Sequence, residues 1–181
     1  MAIATFARTC AKNVAGNSQI WITEASNIAS ITITSGEAAA FTMDTGKKFL
    51  EHQPEIDSLI RTQEGAGIGT NIAYTHKVDM KFAKLATGVN TMRDALADAS
   101  PCGMVAVIKD GNGTYWLVGW NATDLGNRGL ELSQDNDTSG GALTDEEGGV
   151  NSIVLQTVSG YLDIPLSTAG VTSFGSAKTD A

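Results

Sequence analysis

A strict alternation of apolar and polar side chains in the middle of the chain decides the fold class. The stretch is Asn71-Ile72-Ala73-Tyr74-Thr75-His76-Lys77-Val78-Asp79-Met80-Lys81-Phe82-Ala83-Lys84-Leu85. One face carries six mostly apolar side chains, namely Ile72, Tyr74, His76, Val78, Met80 and Phe82. Successive side chains of a β-strand point to opposite faces, so this two-residue period predicts a long strand from Asn71 to about Leu85 with one buried side.

Further strands are predicted on both sides of this central one. β-Branched and apolar residues indicate strands at Gln19–Thr23, Ile28–Thr34, Ile56–Thr62 and Val150–Val158, with Tyr161–Leu166 extending the last of them. The first two are expected to pair as an early hairpin. The segment Ala38–Thr45 is compatible with either a helix or a strand.

The period changes to a helical one after the long strand. Val89, Met92, Leu96 and Ala99 fall on one face of a helix predicted over Thr87–Ala99, and Pro101 ends it. The continuous apolar run Met104–Ile108 predicts a strand that is covered on both faces.

A strong turn signal follows that run. Asp110-Gly111-Asn112-Gly113 leads into the alternating strand Thr114–Asn121. This strand is expected to place Trp116, Val118 and Trp120 on one face.

These elements predict a mainly β protein, a β-sandwich or barrel of about seven or eight strands with one short flanking α-helix. The 181 residues suit a single domain. Flexible termini are expected at about 1–17 and 167–181, and an acidic loop at about 133–149. Cys10 and Cys102 are far apart in sequence, which favours two reduced, partly buried thiols over a disulfide or a zinc site.

The charge distribution opposes tight binding of nucleic acid. The formal net charge of −8 lies in residues 110–181, which hold ten acidic side chains against Arg128 and Lys178. Binding by counterion release needs clustered Lys and Arg. No apolar run approaches the roughly 20 residues needed to span a bilayer, and residues 1–16 make a poor secretory signal. Synthesis in the cytoplasm and no membrane partner are therefore expected.

No set of nucleophile, base and orienting group is apparent, so no enzymatic activity and no cofactor are predicted. His76 lies on the apolar face of the long strand and is expected to be a satisfied core or interface histidine. His52 stands beside Glu51 and Glu55 without a second metal-binding motif. The Gly-rich segment Glu64–Gly69 precedes a strand, which excludes a phosphate loop and favours a flexible link.

Two weaker patterns leave a binding module open as an alternative. Asp135, Asp137, Ser139 and Glu146 match the oxygen-ligand spacing of a calcium loop, although the helices of an EF-hand are missing from the pattern and a plain acidic loop is favoured. Trp116 and Trp120, expected on one face of their strand, would offer a stacking surface for a sugar or a base. A place in the core or in a subunit interface is the favoured interpretation for both.

The order of elements from Asn71 to Asn121 resembles that of the tail tube and related virion proteins of tailed bacteriophages. The segment Met104–Gly119, followed by Arg128-Gly129-Leu130, is similar to a stretch of phage structural proteins. The resemblance covers about half of the chain and includes no catalytic motif.

This resemblance implies a structural virion protein, with the tail tube subunit as the first expectation and a head-tail connector or capsid decoration protein as the alternative. It implies hexameric rings that stack into a conduit, other virion proteins as partners, and viral DNA that passes through the lumen without specific binding. Assembly would take place in the host bacterial cytoplasm. The inner-barrel interface would use Ile72, Tyr74, His76, Val78, Met80 and Phe82. The contacts between rings would use the loop with Gly65, Gly67 and Gly69.

Overall fold

Strands dominate the part of the chain that the structure describes. The structure is a computed structural model, and it describes residues 16–55, 57–68, 71–83, 87–120, 129–138 and 150–179. The elements are β1 (Asn17–Glu24), β2 (Ile28–Thr34), β3 (Glu37–Met43), β4 (Phe49–His52), β5 (Ile60–Ile68), β6 (Asn71–Ala83), α1 (Thr87–Ala99), β7 (Met104–Asp110), β8 (Tyr115–Val118), β9 (Glu131–Thr138), β10 (Val150–Ser159), β11 (Ile164–Pro165), α2 (Thr168–Ala177) and β12 (Lys178–Thr179). Short 3₁₀ turns cover Ala25–Asn27 and Ser100–Cys102.

Three sheets form a layered, sandwich-like arrangement. The six-stranded sheet has the order β11-β8-β7-β1-β4-β12, the four-stranded sheet has the order β5-β6-β10-β9, and β2 and β3 form a separate hairpin. The mainly β sandwich predicted from the sequence is confirmed. The described residues hold more strands than predicted, twelve, because short edge strands and β3 add to the count.

Two apolar cores lie on opposite faces of the six-stranded sheet. The first core is built between that sheet, the four-stranded sheet and α1, and it includes Ile20, Ile22, Val78, Met80 and Ile153. The second core lies under the β2–β3 hairpin and α2. Its members include Trp21, Phe41, Phe49, Leu117 and Phe174.

The predicted alternation of the long strand is confirmed in β6. His76, Val78, Met80 and Phe82 are buried, whereas Ile72 at the start of the strand is 56 % exposed. The same face was expected to form a subunit interface. That role is not open to Val78, Met80 and Phe82, since the chain's own first core already covers them.

The helix and the strand after it also match the sequence pattern. The helix predicted over Thr87–Ala99 is α1, whose Val89, Met92, Leu96 and Ala99 pack on the first core. In β7, Met104, Ala106 and Ile108 face the first core and Val105 and Val107 face the second. Two cores on one sheet explain why this run is apolar at every position.

The expected early hairpin between β1 and β2 is wrong. β1 pairs with β4 and β7, whereas β2 pairs with β3. The physical reason is that β1 is apolar on both faces: Ile20 and Ile22 enter the first core and Trp21 enters the second. Such a strand is most stable in the middle of a covered sheet rather than in a surface hairpin.

Segments expected to be loops or tails are instead ordered. Residues 64–68 continue β5 and residues 133–138 belong to β9. The tail from residue 167 forms α2, which starts where the Ser167 hydroxyl accepts a hydrogen bond from the Gly170 amide at 3.1 Å. Residues 1–15, which cover most of the other expected flexible terminus and Cys10, lie outside the described residues. Cys102 is an exposed free thiol rather than a partly buried one.

Helix α2 is ordered because it completes the second core. Phe174 is 1 % exposed and makes an edge contact with Trp21, at a centroid distance of 5.5 Å, and with Phe49 at 5.3 Å. Neither described helix is long and apolar enough to cross a membrane.

The contact between α2 and β3 yields a matched pair of glycine variants. A Cβ at Gly170 would overlap the carbonyl oxygen of Ala38, whereas a Cβ at Gly175 meets nothing. We expect Gly170→Ala to lower the free energy of unfolding by about 1–3 kcal/mol, because α2 must move off the second core. Gly175→Ala should raise it by about 0.5–1 kcal/mol. Urea unfolding measures both, and equal effects of the two variants would contradict the described packing of α2.

Candidate functional site

A buried polar cluster fastens the segment after β10 to the four-stranded sheet. Asp163 accepts a hydrogen bond from Arg61 Nη1 at 2.6 Å through one carboxylate oxygen, and its other oxygen lies 2.6 Å from His76 Nδ1. The side chain of Asp163 is 1 % exposed and that of His76 is 3 % exposed. One buried carboxylate therefore joins β5, β6 and the strap of residues 160–163, and we call these three side chains and this strap the clasp.

The second ring nitrogen of His76 completes the clasp. His76 Nε2 lies 2.9 Å from the carbonyl oxygen of Tyr161 and 2.9 Å from Ser159 Oγ. A carbonyl oxygen can only accept a hydrogen bond, so Nε2 donates to it, while Nδ1 faces the Asp163 carboxylate. The expectation of a satisfied core histidine at position 76 is confirmed.

The contact order Ser159, His76, Asp163 is that of a serine-hydrolase triad, and sequence reasoning missed it. Residues 76 and 163 are 87 positions apart, so no local signal joins them. Two observations oppose catalysis. The Ser159 hydroxyl donates to the Tyr161 carbonyl at 2.8 Å rather than to His76, and the adjoining cavity of about 10 Å³ holds at most one water. The geometry suits a structural fastening.

The two tryptophans of the suggested sugar platform do not share a face. The Arg61 guanidinium lies over the Trp116 ring, 4.3 Å from the ring centre, and Trp116 Nε1 donates a hydrogen bond to Asp110 Oδ2 at 3.1 Å. Gly119 has φ of +83°, which ends the alternation of β8, and Trp120 packs on the second core. The predicted common face of Trp116 and Trp120 is therefore wrong.

Two of the four suggested calcium ligands form ion pairs with an arginine. Asp135 and Asp137 lie in β9 and bind Arg93 of α1, with Nε at 2.7 Å from Asp135 and Nη1 at 3.1 Å from Asp137. Arg93 also donates to the Asn151 side chain at 3.0 Å. The hydrogen bonds to the two carboxylates hold the pKa of Arg93 above its ordinary value. This cluster fastens α1 to the four-stranded sheet.

The other two members of the calcium pattern, Ser139 and Glu146, lie outside the described residues. Within the described ranges, no group of three or more His, Cys, Asp or Glu side chains is placed to hold a metal ion.

The four-stranded sheet ends in two long, open strands. β5 has nine residues and β9 has eight, and each pairs with a neighbour on one side only among the described residues. Gly65 and Gly67, expected in a loop between rings, lie in β5, and Gly69 lies outside the described residues. The six-stranded sheet differs, because its edge strands β11 and β12 have two residues each.

The outer face of the four-stranded sheet is mainly polar, although the strand registers also place Ile60, Val154 and Val158 on it. Lys77 and Asp79 form an ion pair at 3.0 Å on this face. The strand registers place three acidic residues and two basic ones there, namely Glu64, Asp79, Glu131, Lys77 and Lys81. The face is therefore close to neutral, with a small excess of negative charge.

Comparison with models of protein families, with curated proteins and with solved structures finds no match to this chain.

The clasp predicts a large stability difference between two aspartate variants. Asp163→Asn removes the only carboxylate of the clasp, so the Arg61 guanidinium loses its counter-charge and His76 Nδ1 loses its carboxylate neighbour. We expect a loss of about 3 kcal/mol or more in the free energy of unfolding. Asp79→Asn breaks the exposed pair with Lys77 and should cost less than about 1 kcal/mol. Chemical unfolding at pH 7 measures both, and a similarly small loss for Asp163→Asn would show that the clasp contributes little.

Proposed function

We propose that this chain is a structural virion protein of a tailed bacteriophage, with the tail tube subunit as the leading assignment. In this proposal copies form rings, hexameric by the resemblance, and the rings stack into a conduit for DNA. The observation that carries the proposal is the four-stranded sheet with one long open edge on each side. Such edges are the features that pair with another chain.

The strand directions of this sheet suit a closed ring. All neighbouring strands in the order β5-β6-β10-β9 are antiparallel, so β5 and β9 run in opposite directions. A second copy, rotated about an axis along the strands, would place its β5 antiparallel to the first copy's β9. The sheet would then continue from copy to copy with the same alternation, and rotational symmetry would close it.

Among the described residues, the other sheets have shorter or partly covered edges, although the outer side of β2, with seven residues, is also without a partner strand. The two-residue edges of the six-stranded sheet are too short to template a partner. The outer side of β3 is occupied, because the Ala38 carbonyl accepts from the Ser167 amide at 3.0 Å and the Phe41 amide donates to the Ser173 hydroxyl at 2.9 Å. Pairing through the edges of the four-stranded sheet, β5 and β9, which are the longest edges described, would give one defined ring.

The polar face of the four-stranded sheet fits a lumen. The inner face of this sheet packs on the first core. The outer face, which carries Lys77 and Asp79, is therefore the face that could line a channel. Two lysines on this face would slow DNA if they stood alone. The Lys77–Asp79 pair and the acidic Glu64 and Glu131 offset them, which supports passage without tight binding.

The proposal includes other virion proteins as partners and assembly in the host cytoplasm, and it includes no cofactor and no enzymatic role. A head-tail connector or decoration protein would use the same edges in a single ring or trimer. A calcium- or sugar-binding module is less supported, because Arg93 engages Asp135 and Asp137 and the tryptophans face different ways.

A charge-swap series tests edge pairing. Gln134 and Asn136 are exposed on the polar face of β9, next to Val154 and Ser152 of β10. In a ring they would face the polar side of a neighbour's β5, whose charged residue is Glu64. We expect Gln134→Glu with Asn136→Glu to shift the protein from rings to monomers, because like charges opposed across a strand pair repel. Adding Glu64→Lys to the same chain should restore rings.

Light scattering after gel filtration and negative-stain microscopy measure the outcome. The matched control, Ser30→Glu with Thr32→Glu, adds the same charge at exposed positions of β2 and should keep the rings. Stacked rings support the tail tube assignment, and single rings or trimers support a connector or decoration protein. A wild-type chain that stays monomeric at high concentration contradicts the proposal.

A further inference from the structure

Part of the sheet face that forms the first core is left uncovered at β4. The strand register pairs Ile20 with His52 and Ile22 with Leu50, and residues paired across two strands point to the same face. Ile20 and Ile22 are buried in the first core, whereas Leu50 is 56 % exposed. Its neighbour Phe49, on the other face, is fully buried in the second core. The cover of the first core therefore stops short of Leu50.

The uncovered strip forms one side of an apolar groove, which we call the β4–α1 groove. It has a volume of about 390 Å³, and its lining includes Ile22, Leu50, Met92, Ala95, Leu96 and Met104. Clefts of this size with mostly apolar walls are typical binding sites. Gly88 of α1 also lines the groove, and a Cβ there would meet nothing within 4 Å. Burial lowers the pKa of His52, another lining residue, and the charge of Glu51 partly offsets this, so the imidazole is neutral at pH 7.

An apolar stripe with helical spacing precedes β1, in the part of the chain outside the described residues. Ile3, Phe6, Cys10 and Val14 follow one another at steps of three, four and four residues. This spacing places all four on one face of a helix. The stripe spans eleven residue steps, as does the α1 side of the groove from residue 88 to residue 99. Eleven steps amount to roughly 16 Å in a helix, so the stripe and the groove match in length.

The point where the chain enters β1 lies close to one end of the groove. Residues 16–18 line the same surface depression as Pro54, which stands two residues after His52. Along β1, Ile20 lies opposite His52 and is three residues from the start of the strand, roughly 10 Å. Residues 1–15 are therefore tethered beside the groove, which raises their local concentration far above that of a free partner.

The charges of the segment and of the groove are opposite in sign. Residues 1–15 carry Arg8 and Lys12 and no acidic side chain. The groove lining and the exposed residues of α1 carry one basic side chain, Lys48, and three acidic ones, Glu24, Asp94 and Asp98. Within the described part of the chain, none of these three carboxylates forms an ion pair. A basic segment is therefore attracted to this surface.

We propose that residues 1–15 pack their stripe of Ile3, Phe6, Cys10 and Val14 into the β4–α1 groove of their own chain. The segment would complete the cover of the first core by removing Leu50 from water. The contact lies within one chain, so the inference goes beyond the proposed function and needs no ring. A neighbouring copy is the competing occupant, and the experiment separates the two.

The native Cys10 makes the contact testable by cross-linking. In a Cys102→Ser background, one variant carries Leu50→Cys in the groove, and a matched control carries Thr34→Cys on the β2–β3 hairpin. Positions 34 and 50 are both exposed, so folding should be kept. Each protein is treated in its native state with a short bismaleimide, and the cross-linked peptides are quantified by mass spectrometry after digestion. A mixture of two chains, one with Cys10 alone and one with Leu50→Cys and Cys10→Ser, reports contacts between copies.

We expect the single chain with Cys10 and Leu50→Cys to cross-link at a yield at least about ten-fold above both the Thr34→Cys control and the mixture, because a docked segment holds the two thiols together. Equal yields for the groove and hairpin positions overturn the inference. A mixture that cross-links as well as the single chain overturns it in favour of a neighbouring copy. The assay requires no assembly, so its outcome is independent of the test of the proposed function.

A matched pair of variants tests the apolar stripe itself. Phe6→Asp places a charge on the stripe, whereas Thr5→Asp places the same charge on the opposite side of the helical pattern. We expect Phe6→Asp to reduce the cross-link yield with Leu50→Cys to that of the hairpin control, because a carboxylate is costly to bury. Thr5→Asp should keep the yield. An undiminished cross-link in Phe6→Asp overturns docking through the stripe.

Discussion

The six-stranded sheet is apolar on both faces, and covering both faces is the constraint on which the rest of the structure depends. β1 and β7 direct alternate side chains into two different cores. Exposing either face would leave several fully buried side chains, Trp21 and Ile108 among them, in water. Each such side chain contributes about 1.5–3 kcal/mol when it is buried. The remaining elements are therefore best understood as two covers for one sheet.

The two covers of the six-stranded sheet are built differently. One cover is the β2–β3 hairpin with α2, where aromatic rings pack against Phe174. The other is the four-stranded sheet with α1. The apolar face of this sheet packs on the first core, and its outer face and its edge strands β5 and β9 are left at the surface. The clasp and the Arg93 cluster each fasten one side of this second cover with ionised side chains. Those polar fastenings leave both edges without a partner strand among the described residues, although the Leu132 amide of β9 donates to Ser100 Oγ at 2.8 Å.

Local patterns predicted the elements whose structure is decided by near neighbours in sequence. The two-residue period of β6, the helical period of α1 and the continuous apolar run of β7 each reflect how many of their faces are covered. The partners of β1 were not predictable in this way, because its pairing with β7 joins residues such as Trp21 and Val107 that are distant in sequence. The clasp was missed for the same reason. Helix α2 carried a Ser cap and a buried-face phenylalanine, but its many small residues made the segment look like a loose tail.

The position of α2 in the chain has a consequence for the timing of maturation. Trp21, Phe41 and Phe49 are translated early, whereas the helix that covers their rings, α2, comprises residues 168–177 and is translated much later. A nascent chain on the ribosome therefore holds an incomplete aromatic cluster until those last turns emerge. Native packing of the second core must therefore follow translation of α2. Incomplete chains that collide before then would expose apolar surface, which favours aggregation.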